Sequence, residues 1–400
     1  MPRFELISGL DVGATKVSLA VIRRQAGSDQ NEFLGCFTAG CEGLSASGAV
    51  TDLSKLADAV STVLEKAQDA VKCNITTAFV NIAGTHIASE NVHGRINLLS
   101  KENEISKRDL NVAFQNAKLS AVTYDREILL FVPQNYLVDG QEDIKNPIGL
   151  FGSRLEVEYL FITGLVSMIG NLSKAVNMGG LEIEEIALSN LASSFSSLTK
   201  PEKDLGVILV DIGSTVSEVT VFTEGIIRHD KMIPTGAAEL SDALALGLKV
   251  KPDATAKIIK NYCKIVSSDS GNADEKILIK EISPPKTVTQ GELQGIIEPK
   301  IKGVLDKIKE AILASDCASM ASCGVVLIGG ISTMDGLAEA AELVFNMPVR
   351  VAMEHSCAQA YGLALYGCQK KNAGGLNRQL SENVLKRAFL SAKDFIYDYF

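Results

Sequence analysis

The stretches ISGLDVGATKVSLAVI (Ile7 to Ile22) and GVILVDIGSTVSEVTVF (Gly206 to Phe222) decide the fold of this chain. In each, an aliphatic run reaches Asp-x-Gly, passes through a turn of small residues and continues into a second aliphatic run. This pattern predicts two β-hairpins, because small residues permit a tight reversal and apolar β-branched runs favour strands. A single hairpin of this kind is common, so it is the occurrence of two that is informative.

A third element, GVVLIGGISTMDGLAEAAELVFNMPVRVA (Gly324 to Ala352), places a strand before Gly329-Gly330 and a helix after Asp335-Gly336. With the two hairpins, it resembles the superfamily of actin, sugar kinases and chaperone ATPases, in which adenine and ribose lie at such a step. The resemblance implies an α/β, actin-like (ribonuclease-H-like/actin ATPase superfamily) fold of two domains with an inserted α+β subdomain. An unrelated α/β protein is the alternative.

The turns of the two hairpins have the composition of phosphate-binding loops. Glycine allows close approach to phosphate oxygens, consecutive N–H groups bind an anion, and a strand-end aspartate can hold Mg²⁺ through water. We therefore predict a nucleotide site between the hairpins, with Asp11 and Asp211 at the metal. The predicted nucleotide-binding residues are Asp11, Gly13, Ala14, Thr15, Lys16, Asp211, Gly213, Ser214, Thr215, Gly236, Gly329 and Gly330.

The composition is that of a large globular protein. A chain of 400 residues exceeds what one core usually organises, and 46% hydrophobic with 22% charged residues is ordinary for a folded chain. The net charge of -9 argues against nucleic acid as the main partner, because phosphate neutralisation needs a basic face.

The sequence also bears on compartment and chemistry. No apolar run approaches the roughly twenty residues that span a bilayer, and no signal peptide precedes the first strand, so we expect a protein of the cytosol. The 8 cysteines contain no C-x-x-C pair, which predicts reduced thiols rather than a disulfide framework or a zinc site. No H-E-x-x-H or G-x-S-x-G motif supports hydrolytic chemistry.

Hydrophobic periodicity divides the chain into units that alternate between strands and helices. The predicted units are a first actin-like domain (1–84 and 163–200), an inserted subdomain (85–162), a second actin-like domain (201–369) with a small outer subdomain (about 238–298), a linker (370–383) and a C-terminal helix (384–400).

The C-terminal segment has apolar and aromatic residues at helical spacing, which predicts an amphipathic helix on a tether. Aromatic rings favour the membrane interface, although Asp394 and Asp398 oppose contact with anionic lipid. Docking of this helix on its own protein is the alternative. The predicted membrane-contacting residues are Leu385, Phe389, Phe395, Ile396 and Phe400.

The stretch PQNYLVDGQEDIKNPIGLFGSRLEVEYLFITG (Pro133 to Gly164) resembles the signature of the actin-like bacterial cell-division proteins of the FtsA family. It combines P-Q-x-Y-x-V-D-G, N-P-I-G and G-x-R-L-E, and the similarity extends over nearly the whole chain. A pilus-assembly-type actin-like scaffold is the alternative within the fold, and it normally lacks a tethered membrane helix.

The resemblance implies a protein that binds ATP, self-associates into filaments, and tethers the tubulin-like protein FtsZ to the cytoplasmic membrane through its C-terminal helix. Such a protein is peripheral and lies on the cytoplasmic face of the membrane at the division site. The acidic tail of FtsZ requires cations, and the outer subdomain offers Lys249, Lys251, Lys257 and Lys260. A solvated helix face is an equally simple explanation of these lysines.

The sequence departs from the family in the second phosphate loop. The family's Asp-Ile-Gly-Gly-Gly-Thr-Thr-Asp reads here as residues 211–218, Asp-Ile-Gly-Ser-Thr-Val-Ser-Glu, while the first loop keeps its pattern. The ribose-contacting Ala-Glu-x-x-Lys element has lost its Glu within Ala254 to Cys263, and Ser189-Asn190 replace a Glu-Pro pair.

From these departures we expect weak binding of ATP and Mg²⁺, slow or absent hydrolysis, and no assignable catalytic residue. A nucleotide-free structural scaffold is the alternative. A sugar kinase is disfavoured because no substrate motif with a catalytic aspartate is evident.

Overall fold

The computed structural model describes residues 4–25, 31–98, 104–265, 273–282, 284–352 and 357–373. The predicted membrane-contacting residues and most of the predicted linker lie outside these ranges. No helix among the described residues is long and apolar enough to cross a membrane.

The described elements alternate between strands and helices. The strands are β1 (Phe4–Val12), β2 (Lys16–Gln25), β3 (Asn31–Gly40), β4 (Thr77–Ile82), β5 (Ala88–Asn97), β6 (Arg126–Val138), β7 (Arg154–Leu165), β8 (Glu182–Leu188), β9 (Val207–Ile212), β10 (Ser217–Thr223), β11 (Ile226–Ile233), β12 (Lys276–Ile279), β13 (Lys286–Thr289), β14 (Val325–Gly329) and β15 (Val349–Val351). The helices are α1 (Leu53–Val71), α2 (Lys107–Ala121), α3 (Val166–Met178), α4 (Ser189–Ser197), α5 (Lys200–Leu205), α6 (Ala238–Leu248), α7 (Pro252–Tyr262), α8 (Gln290–Leu313), α9 (Leu337–Phe345) and α10 (Ala358–Ala373).

The first sheet has the order β3-β2-β1-β4-β8. Strands β1 and β2 form the first predicted hairpin, which is confirmed by an antiparallel register in which Asp11 lies opposite Ser18. Helices α1 and α3 pack together on one side, while α10 and α4 pack together with α10 against β1 and β2. The aliphatic residues of β1 and β2 are buried in the same core as those of α1 and α10.

The second sheet has the order β11-β10-β9-β14-β15 and contains the second predicted hairpin, β9 with β10, which is also confirmed. Strand β9 is buried on both faces, as expected for a central strand. Ile208, Val210 and Ile212 join a core with α6, α8 and α9, while Val207 and Leu209 join the core of the first sheet. The sheet therefore links two hydrophobic cores through the two faces of one strand.

A three-stranded sheet of order β5-β7-β6 forms a separate unit with α2. Its own core contains clustered rings of Phe114, Phe131, Tyr159 and Phe161. The unit also contacts the edge strand β11, where the Arg228 Nη1 donates to the carbonyl of Gln134 at 2.8 Å. Gln134 Nε2 also donates to the carbonyl of Ile227 at 2.9 Å. These two hydrogen bonds connect the unit to the second sheet.

The outer part of the second domain consists of α6, α7, the β12-β13 hairpin and the first turns of α8. Helix α8 begins with a capping box: the Thr289 side chain accepts from the N–H of Glu292, whose carboxylate accepts from the N–H of Thr289. This reciprocal arrangement satisfies two backbone donors that a helix start leaves unpaired.

Helix α10 extends further than the sequence suggests. The predicted linker begins at Lys370, but the helix continues to Ala373. Lys371 pairs with Glu5 at 2.7 Å and with Glu184 at 3.2 Å, and Lys370 lies 3.9 Å from Glu185. These contacts with β1 and β8 hold the last turn of the helix against the first sheet.

The expectation that every cysteine is a reduced thiol is wrong for one pair. Cys36 on β3 and Cys357 directly before α10 form a disulfide across a sequence separation of 321 residues. The other cysteines are free. Sequence spacing could not indicate this pair, because only the packing of α10 on the first sheet brings the two residues together.

Candidate functional site

The two hairpin turns bring Asp11 and Asp211 to a common site. Each aspartate lies one residue before the end of its strand, and the side chains are buried, with 4% and 6% exposure respectively. They are close enough that the charge of Asp11 raises the pKa of Asp211, while the charge of Lys16 lowers the pKa of both carboxyls. The residues predicted as metal ligands thus meet between the two sheets.

Asp11 is held by a side chain that the sequence reasoning missed. Asn81, at the end of β4, donates to Asp11 Oδ1 at 2.8 Å and accepts from the N–H of Val12 at 2.7 Å. Its amide nitrogen also lies 3.0 Å from Ser189 Oγ. Burial raises the pKa of Asp11 to about 6, although Lys16 and Asn81 oppose the shift. An asparagine near the end of the mostly apolar stretch TAFVNI was the available signal.

Asp211 has a different set of contacts. Its carboxylate accepts a hydrogen bond from Gln359 Nε2 in the first turn of α10, whereas its Oδ1 has no partner among the described residues. Burial, then the neighbouring Asp11, raise the pKa of Asp211 to about 7. A buried carboxylate oxygen without a donor requires an explanation, and a bound cation provides one.

Two carboxylates, one of which has the unpaired oxygen Oδ1 of Asp211, suit Mg²⁺, because this ion prefers oxygen ligands and retains several waters. Within the part of the chain that the structure describes, no group of three or more His, Cys, Asp or Glu side chains could enclose a metal ion. The residues present therefore fit a cation that is held partly by water and by a bound phosphate.

In both turns, the first glycine lies close to the backbone carbonyl three residues later. Gly13 donates to the carbonyl of Lys16 at 3.0 Å, and a Cβ on Gly213 would lie 2.5 Å from the carbonyl of Val216. A side chain at Gly213 would therefore distort the second turn. The other residues predicted in the two turns are half-buried or exposed: Ala14, Thr15, Ser214 and Thr215.

The start of α6 packs against the second turn and hydrogen-bonds to its backbone. The N–H groups of Ala237 and Ala238 donate to the carbonyls of Gly213 and Ser214 at 3.0 and 2.7 Å. A Cβ on Gly236 would lie 2.5 Å from the carbonyl of Gly213, so only glycine permits this approach. The structure thus places Gly236 against the predicted phosphate loop.

The two glycines after β14 have different surroundings. Gly329 has φ +104°, and its Cβ would lie 2.6 Å from Asp211 Oδ1, so this position borders the site directly. Gly330 faces open space, with no atom within 4 Å of the point that a Cβ would occupy. The Gly329 backbone is thus packed against Asp211, whereas the position of Gly330 is open.

A buried acid pair lies behind the second turn, and the sequence reasoning missed its second member. The backbone N–H of Asn190 donates to both carboxylate oxygens of Glu218, and Thr220 Oγ1 donates to Asp230 at 2.6 Å. Burial, then the nearby Asp230, raise the pKa of Glu218 well above its usual range. Burial likewise raises the pKa of Asp230 to about 6. Both carboxyls are buried, on β10 and β11 of the second sheet.

The lysines predicted to bind a partner are all exposed. Lys249 and Lys251 occupy the link between α6 and α7, and Lys257 and Lys260 lie one turn apart on α7. The structure therefore gathers them on or beside one helix of the outer part of the second domain.

Two facing Asp-bearing hairpins and a glycine step between two α/β domains define an actin-like protein. Solved structures share this fold: the protein of a "PilM-PilN type IV pilus biogenesis complex" has a TM-score of 0.64 at 13% identity, covering 90% of this chain and 98% of that chain. MreB5 of Spiroplasma citri bound to ADP has a TM-score of 0.55 at 12% identity, covering 92% and 98%.

Sequence comparison identifies the family within this class. The profile described as "SHS2 domain inserted in FTSA" matches residues 84–163, and that of "Cell division protein FtsA" matches residues 208–364. Cell division protein FtsA of Pseudomonas aeruginosa is 32% identical, over 92% of this chain and 91% of that protein. The Borreliella burgdorferi protein of the same name is 30% identical over 97% of both. This chain belongs to the FtsA family of cell-division proteins.

Proposed function

We propose that this member of the FtsA family binds ATP with Mg²⁺ between its two hairpins, forms filaments with copies of itself, and tethers FtsZ to the cytoplasmic membrane. Residues 384–400 would provide the membrane attachment at the division site. The observation that carries the nucleotide part is the meeting of Asp11 and Asp211, with the Asp211 Oδ1 unpaired among the described residues.

Different groups of the chain would bind the phosphates and the metal ion. The two turns offer backbone N–H groups and Lys16 to phosphate, while Gly329 leaves space beside Asp211. When bound, Mg²⁺ supplies positive charge that neutralises phosphate oxygens, and Asp11 and Asp211 would hold it. Ser214 and Thr215 stand where the family resemblance expects glycines, so we expect weak binding and little hydrolysis.

A first prediction concerns nucleotide affinity. Asp211→Asn is expected to weaken binding of a fluorescent ATP analogue in the presence of Mg²⁺ by roughly tenfold to a hundredfold, because a charged cation contact is lost. Wild-type affinity should rise between about pH 6 and pH 8, since the pKa values of about 6 for Asp11 and about 7 for Asp211 mean that both carboxyls ionise in this range.

Asp58→Asn, at an exposed position on α1, is the matched control and should bind like wild type. Fluorescence titration at several pH values gives both results. Tight binding with steady phosphate release would contradict the weak site, and absence of binding at every pH would favour the nucleotide-free scaffold.

The proposed FtsZ contact is supported by charge. Lys249, Lys251, Lys257 and Lys260 lie exposed on or beside α7 in a protein whose net charge is -9, so this is a local concentration of positive charge. An acidic peptide tail is attracted to such a surface and repelled by most of the remainder.

A second prediction tests the membrane part. The full chain is expected to sediment with vesicles of phosphatidylethanolamine and phosphatidylglycerol, and a chain truncated after Asn383 is expected to remain in solution. The reason is that the apolar face of residues 384–400 is the predicted source of membrane affinity.

The control for this experiment is a full-length chain carrying Phe395→Asp and Ile396→Asp, which keeps the segment but removes its apolar contacts. It should remain in solution like the truncated chain. If wild type also stays in solution, the tether is wrong and the pilus-assembly-type scaffold becomes the better explanation.

A further inference from the structure

The Cys36–Cys357 disulfide joins the edge strand of the first sheet to the start of α10. The two Cα atoms are 6.4 Å apart, and Cys357 is buried with 5% exposure, whereas Cys36 is half-buried. Cys36 is therefore the more exposed of the two bridged residues.

The bridge is one of several contacts that hold the first turn of α10. The carbonyl of Cys357 accepts from the N–H of Tyr361 at 2.9 Å, which begins the hydrogen-bonding pattern of the helix. Ser196 Oγ on α4 donates to the carbonyl of Ala358 at 2.8 Å, and the ring of Tyr361 lies 4.9 Å from that of Phe33 on β3. The turn is thus fastened to α4 by a hydrogen bond and to β3 by a ring contact and a covalent bond.

This same turn reaches the candidate nucleotide site. Gln359, two residues after Cys357, donates its amide to the carboxylate of Asp211 at the end of β9. Because the turn carries both residues, any displacement of Cys357 moves the donor on Asp211. The disulfide and the buried aspartate are therefore mechanically connected through two residues of one helix.

We propose that Cys36 and Cys357 are a reversible thiol–disulfide modification site whose redox state sets how firmly the first turn of α10, and with it Gln359, is held against Asp211. In a reducing compartment, disulfides are rare and those present are typically transient and redox-sensing.

The exchange is balanced with low-molecular-weight thiols and their disulfide as reactants. A thiolate attacks the sulfur of Cys36, the more exposed residue, the bond to Cys357 breaks, and Cys357 leaves as a thiolate that takes up a proton. A second thiolate then attacks the small-molecule sulfur of the mixed disulfide, and Cys36 leaves as a thiolate that takes up a proton. Two thiols have then become one small disulfide, and the bridge has become two cysteines. A thiolate at Cys357 would lie at the N-terminus of α10, where the helix dipole stabilises negative charge and favours its departure.

The first test measures whether the bridge is reversible. The full chain is equilibrated in glutathione buffers of increasing disulfide-to-thiol ratio, quenched with an alkylating reagent, and its thiols are counted by mass spectrometry after denaturation. We expect eight thiols under reducing conditions and six under oxidising conditions, with Cys36 and Cys357 lost together. Eight thiols at every ratio would overturn the proposal, and so would six thiols that full reduction of the native protein cannot change.

The second test measures coupling to the aspartate by hydrogen–deuterium exchange of the same oxidised and reduced samples. Reduction should accelerate exchange several-fold in the peptide that contains the first turn of α10 and in the one that contains the end of β9. Cys36→Ser should reproduce the reduced pattern under oxidising conditions, and Gln359→Ala should affect β9 while leaving the bridge intact. Cys317→Ser, at a half-buried free cysteine, is the matched control. Unchanged exchange in both peptides on reduction would refute the coupling.

Discussion

Gly9→Ala is expected to lower the free energy of unfolding by about 3 kcal/mol or more, a large effect for one methyl group. Gly9 lies on β1 directly beneath α10, and a Cβ there would lie 2.2 Å from the carbonyl oxygen of Ala360 and 2.6 Å from the nitrogen of Ala364. Both are backbone atoms, so no side chain can rotate away and the helix itself must shift.

The expected shift is consequential because α10 joins several parts of the protein. It carries Gln359 to Asp211, and its last turn is paired through Lys371 to Glu5. Displacing the helix should therefore weaken contacts at both ends as well as the packing against β1. Urea unfolding followed by circular dichroism measures the change in free energy.

Gly40→Ala is the matched control for this substitution. Gly40 ends β3 in the same sheet, and a Cβ at that position would meet no atom within 4 Å. We expect its unfolding midpoint to stay close to that of wild type. Equal midpoints for Gly9→Ala and wild type would mean that α10 does not pack on β1 as closely as described.

The stability of the protein should fall as the pH rises from about 5 to about 8. Burial raises the pKa of Asp11 and of Asp230 to about 6 and, together with the neighbouring Asp11, raises the pKa of Asp211 to about 7. Burial also raises the pKa of Glu218 well above its usual range. Below its unfolded pKa, each carboxyl is protonated in both states. Above that value the unfolded chain ionises first, so each group costs about 1.4 kcal/mol per pH unit until its folded pKa is reached.

Glu218→Gln isolates one member of this set. Glutamine keeps the size of the side chain and cannot ionise. The free energy of unfolding should therefore fall less steeply with pH, by up to about 1.4 kcal/mol per pH unit, which is the contribution of one proton. The variant should be less stable than wild type near pH 5 and approach or exceed it near pH 8, where wild type carries the charge cost. Urea unfolding at a series of pH values provides the slopes.

The control is Glu142→Gln, at an exposed position in the inserted unit, which should leave the slope unchanged. A wild-type stability that rises steadily between about pH 5 and pH 8 would show that these carboxyls are ionised in the folded protein, contrary to their burial. Equal slopes for wild type and Glu218→Gln would show the same for this residue alone.

The sequence by itself determined the two hairpins, the glycine step and the cap of α8. Each of these depends on residues that are neighbours in the chain: an apolar run, a turn of small residues, or a threonine three positions before a glutamate. These local patterns are the ones that resemble the actin superfamily, and that resemblance implied the actin-like fold and a site shared by Asp11 and Asp211.

Tertiary structure alone decided which side chains surround those aspartates. Asn81 contacts Asp11 across 70 residues, Gln359 contacts Asp211 across 148, and Cys36 bonds Cys357 across 321. Nothing local marks these partners, since an amide or a thiol is compatible with many positions on a strand or helix. Asn81 reaches Asp11 when β4 pairs with β1, whereas Gln359 and Cys357 reach their partners only when α10 packs against the first sheet. Burial of apolar surface, rather than any local preference, fixes that arrangement.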